Sequence, residues 1–189
     1  MDAITSFKGY SIEQIQALSA EAFKTDVSGS AAIKSLSASQ IQALSAEQIA
    51  NIGRKGDDSI DAGVIVNLSI GSLNAYQTEF GLATDQISAL STTQIKALTT
   101  AQLGAMSYEQ IQALNTADLK LLSDTQLKAL TADQIRQMET GASDALTGSD
   151  QLSTKQVQSL KGEQLDAISA LTTTNIRALS ATQVKSLSV

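Results

Sequence analysis

One eight-residue phrase, Ser/Thr-x-x-Gln-Ile/Leu-x-Ala-Leu, recurs along this chain and constrains its fold more than any other feature. Between Ala83 and Met138 it runs without a slip: ATDQISAL, STTQIKAL, TTAQLGAM, SYEQIQAL, NTADLKLL, SDTQLKAL, TADQIRQM. A fixed short period marks a solenoid, in which each unit is stable only against its neighbours.

The unit STTQIKAL, Ser91–Leu98, shows why the phrase is helical. Ser or Thr leads and Gln follows three residues later, which is a capping box: the hydroxyl accepts from the N3 amide and the Gln side chain reaches back to the N-cap amide. Ile95 and Leu98 are three apart and share a helical face. Acids gather at place three (Glu13, Glu47, Asp85, Glu109, Asp133) and bases at place six (Lys34, Lys96, Lys120, Arg136, Lys185). Each suits its end of a helix dipole by about 0.3–1 kcal/mol. The charge pattern resets every octad, so the helix must reset too.

A continuous helix fits badly, because eight residues at about 100° each overshoot two turns by about 80° and the apolar stripe would spiral away. A strand would split Ile from Leu across two faces. The expectation is a mostly α fold: a solenoid of short capped helices, one per octad, with Ile and Leu inward and places two, three and six outward. Such helices are too short to persist alone in water and must be held by aliphatic stacking.

The phase spans residues 1–189 as a single repeat solenoid. A first array covers 1–52, degenerate units 53–82, the regular array 83–138, a second degenerate stretch 139–152, and final octads 153–189. Two extra residues, Val27 and Ser28, and a three-residue insert, Ser169–Leu171, interrupt it. Within 53–82, GRKGDDSI, DAGVIVNL and SIGSLNAY read as octads closing on Ile60, Leu68 and Tyr76, with QTEFGL a six-residue unit. Richness in Gly and Asp makes both degenerate stretches corners or caps, or else loops carrying function.

The segment Val64–Ile70, VIVNLSI, alternates as a short strand would, with Val64, Val66, Leu68 and Ile70 on one face. A lone strand edge is a template for another chain, so these four residues are a candidate self-association contact; a buried strand is the alternative.

Composition removes most chemistry. The chain has no His, Cys, Pro or Trp, and aromatics are 3%. Without Cys or His there is no thiolate nucleophile, no Ser-His-Asp triad and none of the usual zinc or haem ligands. Ser and Thr are abundant, but they occupy cap positions, so no enzyme activity and no catalytic residue is expected. A net charge of −6 without a basic patch argues against nucleic acid, and no apolar run approaches a membrane span. The one candidate metal site is Asp57, Asp58 and Asp61 beside Gly56, whose hard oxygen ligands suit Ca²⁺, with a solvated turn as the plainer reading and Asp144 and Asp150 as a weaker echo. No other cofactor is expected.

The phrases SIEQIQAL, SASQIQAL, TTAQLGAM and SYEQIQAL, together with KGDDSIDAGVIVNLSIGSLNAY, resemble repeats of very large bacterial secreted proteins labelled adhesins, haem-utilisation proteins or RTX-like repetitive proteins. The resemblance implies surface or extracellular placement by a route that reads no N-terminal signal. MDAITSFKGYS agrees with that, having neither a basic n-region nor an apolar h-region. The functional expectation is a non-catalytic structural or adhesive protein that binds itself, in fibres or larger assemblies, or a cell-surface polymer or protein. The alternatives are a cytosolic (cytoplasmic) protein-binding module and a Ca²⁺-dependent surface module.

Overall fold

A computed structural model describes residues 4–114, 116–135, 153–166 and 173–187. The chain divides into two compact units, Met1–Leu98 and Thr99–Val189. Each is a solenoid of short helices, and no strand occurs among the described residues.

The octad sets one helix and one corner. In Ser37–Leu44, the helix Ala38–Ala43 is capped by Ser37, whose side chain accepts from the Gln40 amide while the Gln40 side chain reaches back to the Ser37 amide. The same reciprocal box opens the helices Ile12–Ala17, Ala46–Asn51, Thr92–Ala97, Thr100–Ala105, Tyr108–Ala113, Thr154–Ser159 and Ala181–Ser186. At the other end the Leu44 amide bonds the Ile41 carbonyl, and Leu44 then takes φ −64°, ψ 140°. Ser45, the next N-cap, is also extended at φ −72°, ψ 160°. Two extended residues therefore turn the chain between six-residue helices, each about 9 Å long. The charges sit as expected, with Glu13, Glu47, Asp85 and Glu109 in first turns and Lys34, Lys96, Lys120 and Lys185 in last turns.

Four helices make one superhelical coil where the phase is regular, whereas in the final octads Gln183 reaches carbonyls only 26 and 23 residues back, three octads earlier. In the second unit the Gln134 carboxamide donates to the carbonyls of Leu103 and Met106, 31 and 28 residues back. The octad at 131–138 thus lies over the one at 99–106, four octads earlier. In the first unit Gln48 lies over Ile15 and Leu18, 33 and 30 residues back, because Val27 and Ser28 lengthen that coil by their two residues. Those residues are held by Ile4, whose amide donates to the Val27 carbonyl at 2.8 Å.

The core is the stack of place-five and place-eight side chains. Ile41, Ile49, Ile87, Ile95, Leu103 and Ile111 are all buried. The first coil substitutes aromatics: Phe7 and Phe23 stack with ring centroids 5.2 Å apart. Both are fully buried, so they close the axis where Ile alone would leave space.

Residues 53–82 depart from the sequence expectation. The unit read as GRKGDDSI is not a helical octad but a hairpin bulging from a corner. Arg54 pairs with Ile60 in an isolated antiparallel bridge, the Lys55 amide bonds the Ser59 carbonyl and the Asp61 amide bonds the Gly53 carbonyl. Gly53 has φ +78°, which a side chain would strain.

The expected strand at Val64–Ile70 is instead the helix Ala62–Ile65 followed by the 3₁₀ turn Ile70–Ser72. Asp61 is the reason: its carboxylate caps the helix by accepting from the Gly63 amide at 2.9 Å. The octad frame then places Val64, Ile65 and Leu68 in the core and turns Val66 outward.

Tyr76 does not close an octad. Asn74 caps the helix Ala75–Gly81 in a box with Gln77, so Leu73 closes the unit before it, Leu82 closes its own, and Tyr76 faces solvent.

Candidate functional site

The recurring Gln is the residue on which the coils depend, and its carboxamide works in two directions at once. In Gln48, Oε1 accepts from the Ser45 amide at 2.9 Å. Its Nε2 donates to Ile15 at 3.0 Å and to Leu18 at 2.8 Å. Gln164 repeats this with Lys161, Leu127 and Leu130. The carbonyls it reaches are at places five and eight of the preceding coil, where the helix ends: the place-five carbonyl already accepts from the cap amide, and the place-eight carbonyl lies beyond the intrahelical bonds. Gln48 and Gln164 thus serve the N-cap N–H of their own helix and the closing C=O groups of another. Twelve of these side chains are buried among the described residues, from Gln40 to Gln183.

Sequence reasoning assigned Gln to the capping box alone. The missed signal is that Glu never stands at place four. A capping box accepts Glu as readily, and the helix dipole favours it. Only a carboxamide can also donate downward.

The three carboxylates of the hairpin are not brought together. Asp57 Oδ1 accepts from the Ser59 amide at 3.0 Å and from its hydroxyl at 2.6 Å. These bonds, the hydroxyl's first, hold the Asp57 carboxyl below its ordinary range. Asp58, at φ +62°, lies 3.6 Å from Lys24. Asp61 caps its helix. Among the described residues no group of three acids is placed to hold a metal ion, and Asp144 and Asp150 lie outside the described residues.

The hairpin is instead stapled to neighbouring coils. The Arg54 guanidinium donates to the Ala50 and Asp58 carbonyls and forks onto Asp85 at 3.0 and 3.2 Å. The Thr25 amide bonds the Arg54 carbonyl at 2.7 Å, and Asp26 accepts from the Gly56 amide. Lys24 is held above its ordinary range, chiefly by its hydrogen bond to Glu21.

Of the four candidate self-association residues, Val64, Leu68 and Ile70 are buried and only Val66 is accessible, at 46%. Val66 borders a groove of about 350 Å³, with Ser69, Gly71, Thr93 and Ala97 on its walls. It opens because the helix Ala62–Ile65 has four residues and the helix lying over it, Thr92–Ala97, has six.

Other exposed apolar side chains, Tyr10 and Tyr108 among them, break the polar exterior. Tyr76 and Phe80 form an exposed tilted pair with centroids 4.8 Å apart. Ile176 and Val184, both at place five, are also exposed. No described helix is long and apolar enough to cross a membrane.

A family model described as the ALTTAQ repeat matches residues 81–116 and again 105–140. The phrase itself stands at Ala97–Gln102. It runs across a corner: the end of one octad, the N-cap Thr99, and Gln102, which completes the capping box with it. No curated protein and no solved structure matches the chain.

Proposed function

We propose that this chain is a non-catalytic structural and adhesive repeat protein of the bacterial cell surface or extracellular matrix that joins copies of itself into fibres or larger assemblies. The observation that carries the reading is the division of labour within the octad. Places four, five and eight are committed to joining one coil to the next, and the Ser and Thr hydroxyls to capping. What remains is an outward surface of polar and charged side chains on a scaffold that extends by repetition. A scaffold of this kind supplies reach and repeated contact. The place-five side chains of Ile176 and Val184, buried wherever a coil lies over them and 53% and 54% exposed here, give copies an apolar contact. Negative-stain microscopy and sedimentation velocity over a concentration series test it. Concentration-dependent particles larger than one chain support the reading, and a monomer at every concentration removes it.

A second reading, a cytosolic module that binds a protein through its outward face, is favoured by the Tyr76–Phe80 pair, since exposed adjacent aromatics are enriched where proteins meet. Cell fractionation separates the two readings. Recovery with the cell envelope or medium supports the first, and recovery with the cytosol supports the second.

A further inference from the structure

The hairpin at 53–60 bulges from a corner of its unit, and its tip is exposed from Lys55 to Ser59. The Asp58 amide bonds the Lys55 carbonyl at 3.0 Å, closing a β-turn with Gly56 and Asp57 at its centre. Each residue of this turn is tied down. The Lys55 amide bonds the Ser59 carbonyl at 2.9 Å, the Gly56 amide bonds Asp26 Oδ2 at 2.7 Å, and Asp57 Oδ1 accepts from the amide and the hydroxyl of Ser59. Asp58 is engaged by Lys24.

Two charges are left over at the tip. The Lys55 ammonium makes no ion pair among the described residues. Both bonds to Asp57 fall on Oδ1, which leaves Oδ2 for a partner. One cation and one anion therefore stand two residues apart, within about 7 Å of backbone. Gly56 puts no side chain between them, and a Cβ there would come within 3.1 Å of Asp26 Oδ2.

We propose that this tip is a ligand for a cell-surface adhesion receptor whose pocket offers a bound divalent cation to the Asp57 carboxylate and an acidic side chain to the Lys55 ammonium. The charges of the tip select that pocket. An exposed carboxylate gains little from a surface lysine or arginine, because water and salt screen the pair. A divalent cation with an open coordination position takes a hard carboxylate oxygen directly, and a single oxygen completes its shell. The cation belongs to the receptor, so one carboxylate suffices, and the separate engagement of Asp58 and Asp61 takes nothing away. A turn already fixed by its own hydrogen bonds enters a pocket without the cost of ordering it. The inference rests on the adhesive part of the proposed function and names the chemistry of the partner; it is independent of how copies join.

The test uses the full 189-residue chain, immobilised, with a purified adhesion receptor that takes Arg-Gly-Asp peptides through a bound divalent cation as the probe. Binding is read by surface plasmon resonance in Mg²⁺ and again with a chelator. The unaltered chain is expected to bind in Mg²⁺, to release the receptor on chelation and to be displaced by soluble Arg-Gly-Asp peptide. Asp57→Asn keeps an Oδ1 for both Ser59 bonds but removes the charge, and is expected to bind at least about tenfold more weakly, the size of a hot-spot loss. Lys55→Ala is expected to weaken binding several-fold. Asp58→Asn, beside them, is expected to change nothing, and circular dichroism is expected to give one helical spectrum for all four chains. No binding by the unaltered chain, binding that survives chelation, or equal binding by Asp57→Asn overturns the inference. Sedimentation of the same chains is read in parallel. Assembly without receptor binding leaves the structural reading standing, and a chain that neither assembles nor binds overturns both.

Discussion

Replacing Gln48 and Gln14 by Ala separates the strut from the cap. Both side chains complete a capping box with a Ser three residues before, Gln48 with Ser45 and Gln14 with Ser11. They differ below: Gln48 is buried and grips the carbonyls of Ile15 and Leu18, while Gln14 is exposed. In Gln48→Ala the Ser45 amide and the Leu18 carbonyl lose their partners. The Ile15 carbonyl keeps its bond from the Leu18 amide at 3.2 Å. The two groups left bare are part-buried, so each costs toward the low end of about 1–3 kcal/mol and the expected loss is about 2–3 kcal/mol. In Gln14→Ala water replaces the lost partner, and the cost is that of an exposed cap, about 0.5–1 kcal/mol. Urea denaturation followed by helical circular dichroism measures both. Gln48→Glu sharpens the comparison, since it keeps the cap acceptor but points a carboxylate at two carbonyl oxygens. Burial raises its pKa above the unfolded value, so the deficit is full at neutral pH and shrinks as pH falls through that raised value. Equal losses for Gln48→Ala and Gln14→Ala would show that the box alone matters and refute the strut.

The remaining expectations concern the corners. The Ser28 hydroxyl is buried with no hydrogen-bond partner among the described residues, so Ser28→Ala is expected to leave stability unchanged or raise it by about 1 kcal/mol, as thermal denaturation would show. Arg54 serves the Ala50 and Asp58 carbonyls and both oxygens of Asp85. Lys cannot reproduce that fork, and Arg54→Lys is expected to cost about 1–2 kcal/mol and to speed amide exchange in 53–60. The Glu109 carboxyl is held below its ordinary range, first by its own backbone amide and then by the Ser107 hydroxyl, 2.9 Å away. A lowered folded pKa means that its contribution is present above the unfolded value of about 4.3 and is lost as pH falls through the lowered one. An NMR titration is expected to show Ser107→Ala bringing the Glu109 midpoint upward. With Asp57, Asp58 and Asp61 engaged separately, millimolar Ca²⁺ is expected to leave the melting temperature unchanged, and a clear rise would restore the calcium reading.

The helix, its cap and its aliphatic face were legible in the sequence because each is decided within one octad. Ser91, Gln94, Ile95 and Leu98 carry their own local chemistry, and the structure places them as that chemistry requires. Four octads per coil was not legible, because the contact that fixes it joins Gln134 to Leu103 and Met106 across three intervening helices. The choice of Gln over Glu is its trace, yet it says only that a donor is needed and not how far the donor reaches.

The errors at 53–82 have a common cause. Alternating Val64, Val66, Leu68 and Ile70 fits a strand by period, but a four-residue helix with a side-chain cap satisfies the same residues. The cap was Asp61 there and Asn74 in the next full helix. Both were read as something else because the phrase elsewhere begins with Ser or Thr. The hairpin's carboxylates looked like a cluster in one dimension. Their separate partners, Ser59, Lys24 and Gly63, appear only in three.

The most direct measurement is the NMR environment of the place-four carboxamides. Cross-peaks from the Gln134 Nε2 protons to Leu103 and Met106, with slow exchange against solvent, are expected from a coil of four octads. The Gln14 protons should exchange at the rate of free carboxamide. Cross-peaks to a different octad, or Gln134 protons that exchange as fast as those of Gln14, would contradict the coil and the strut together.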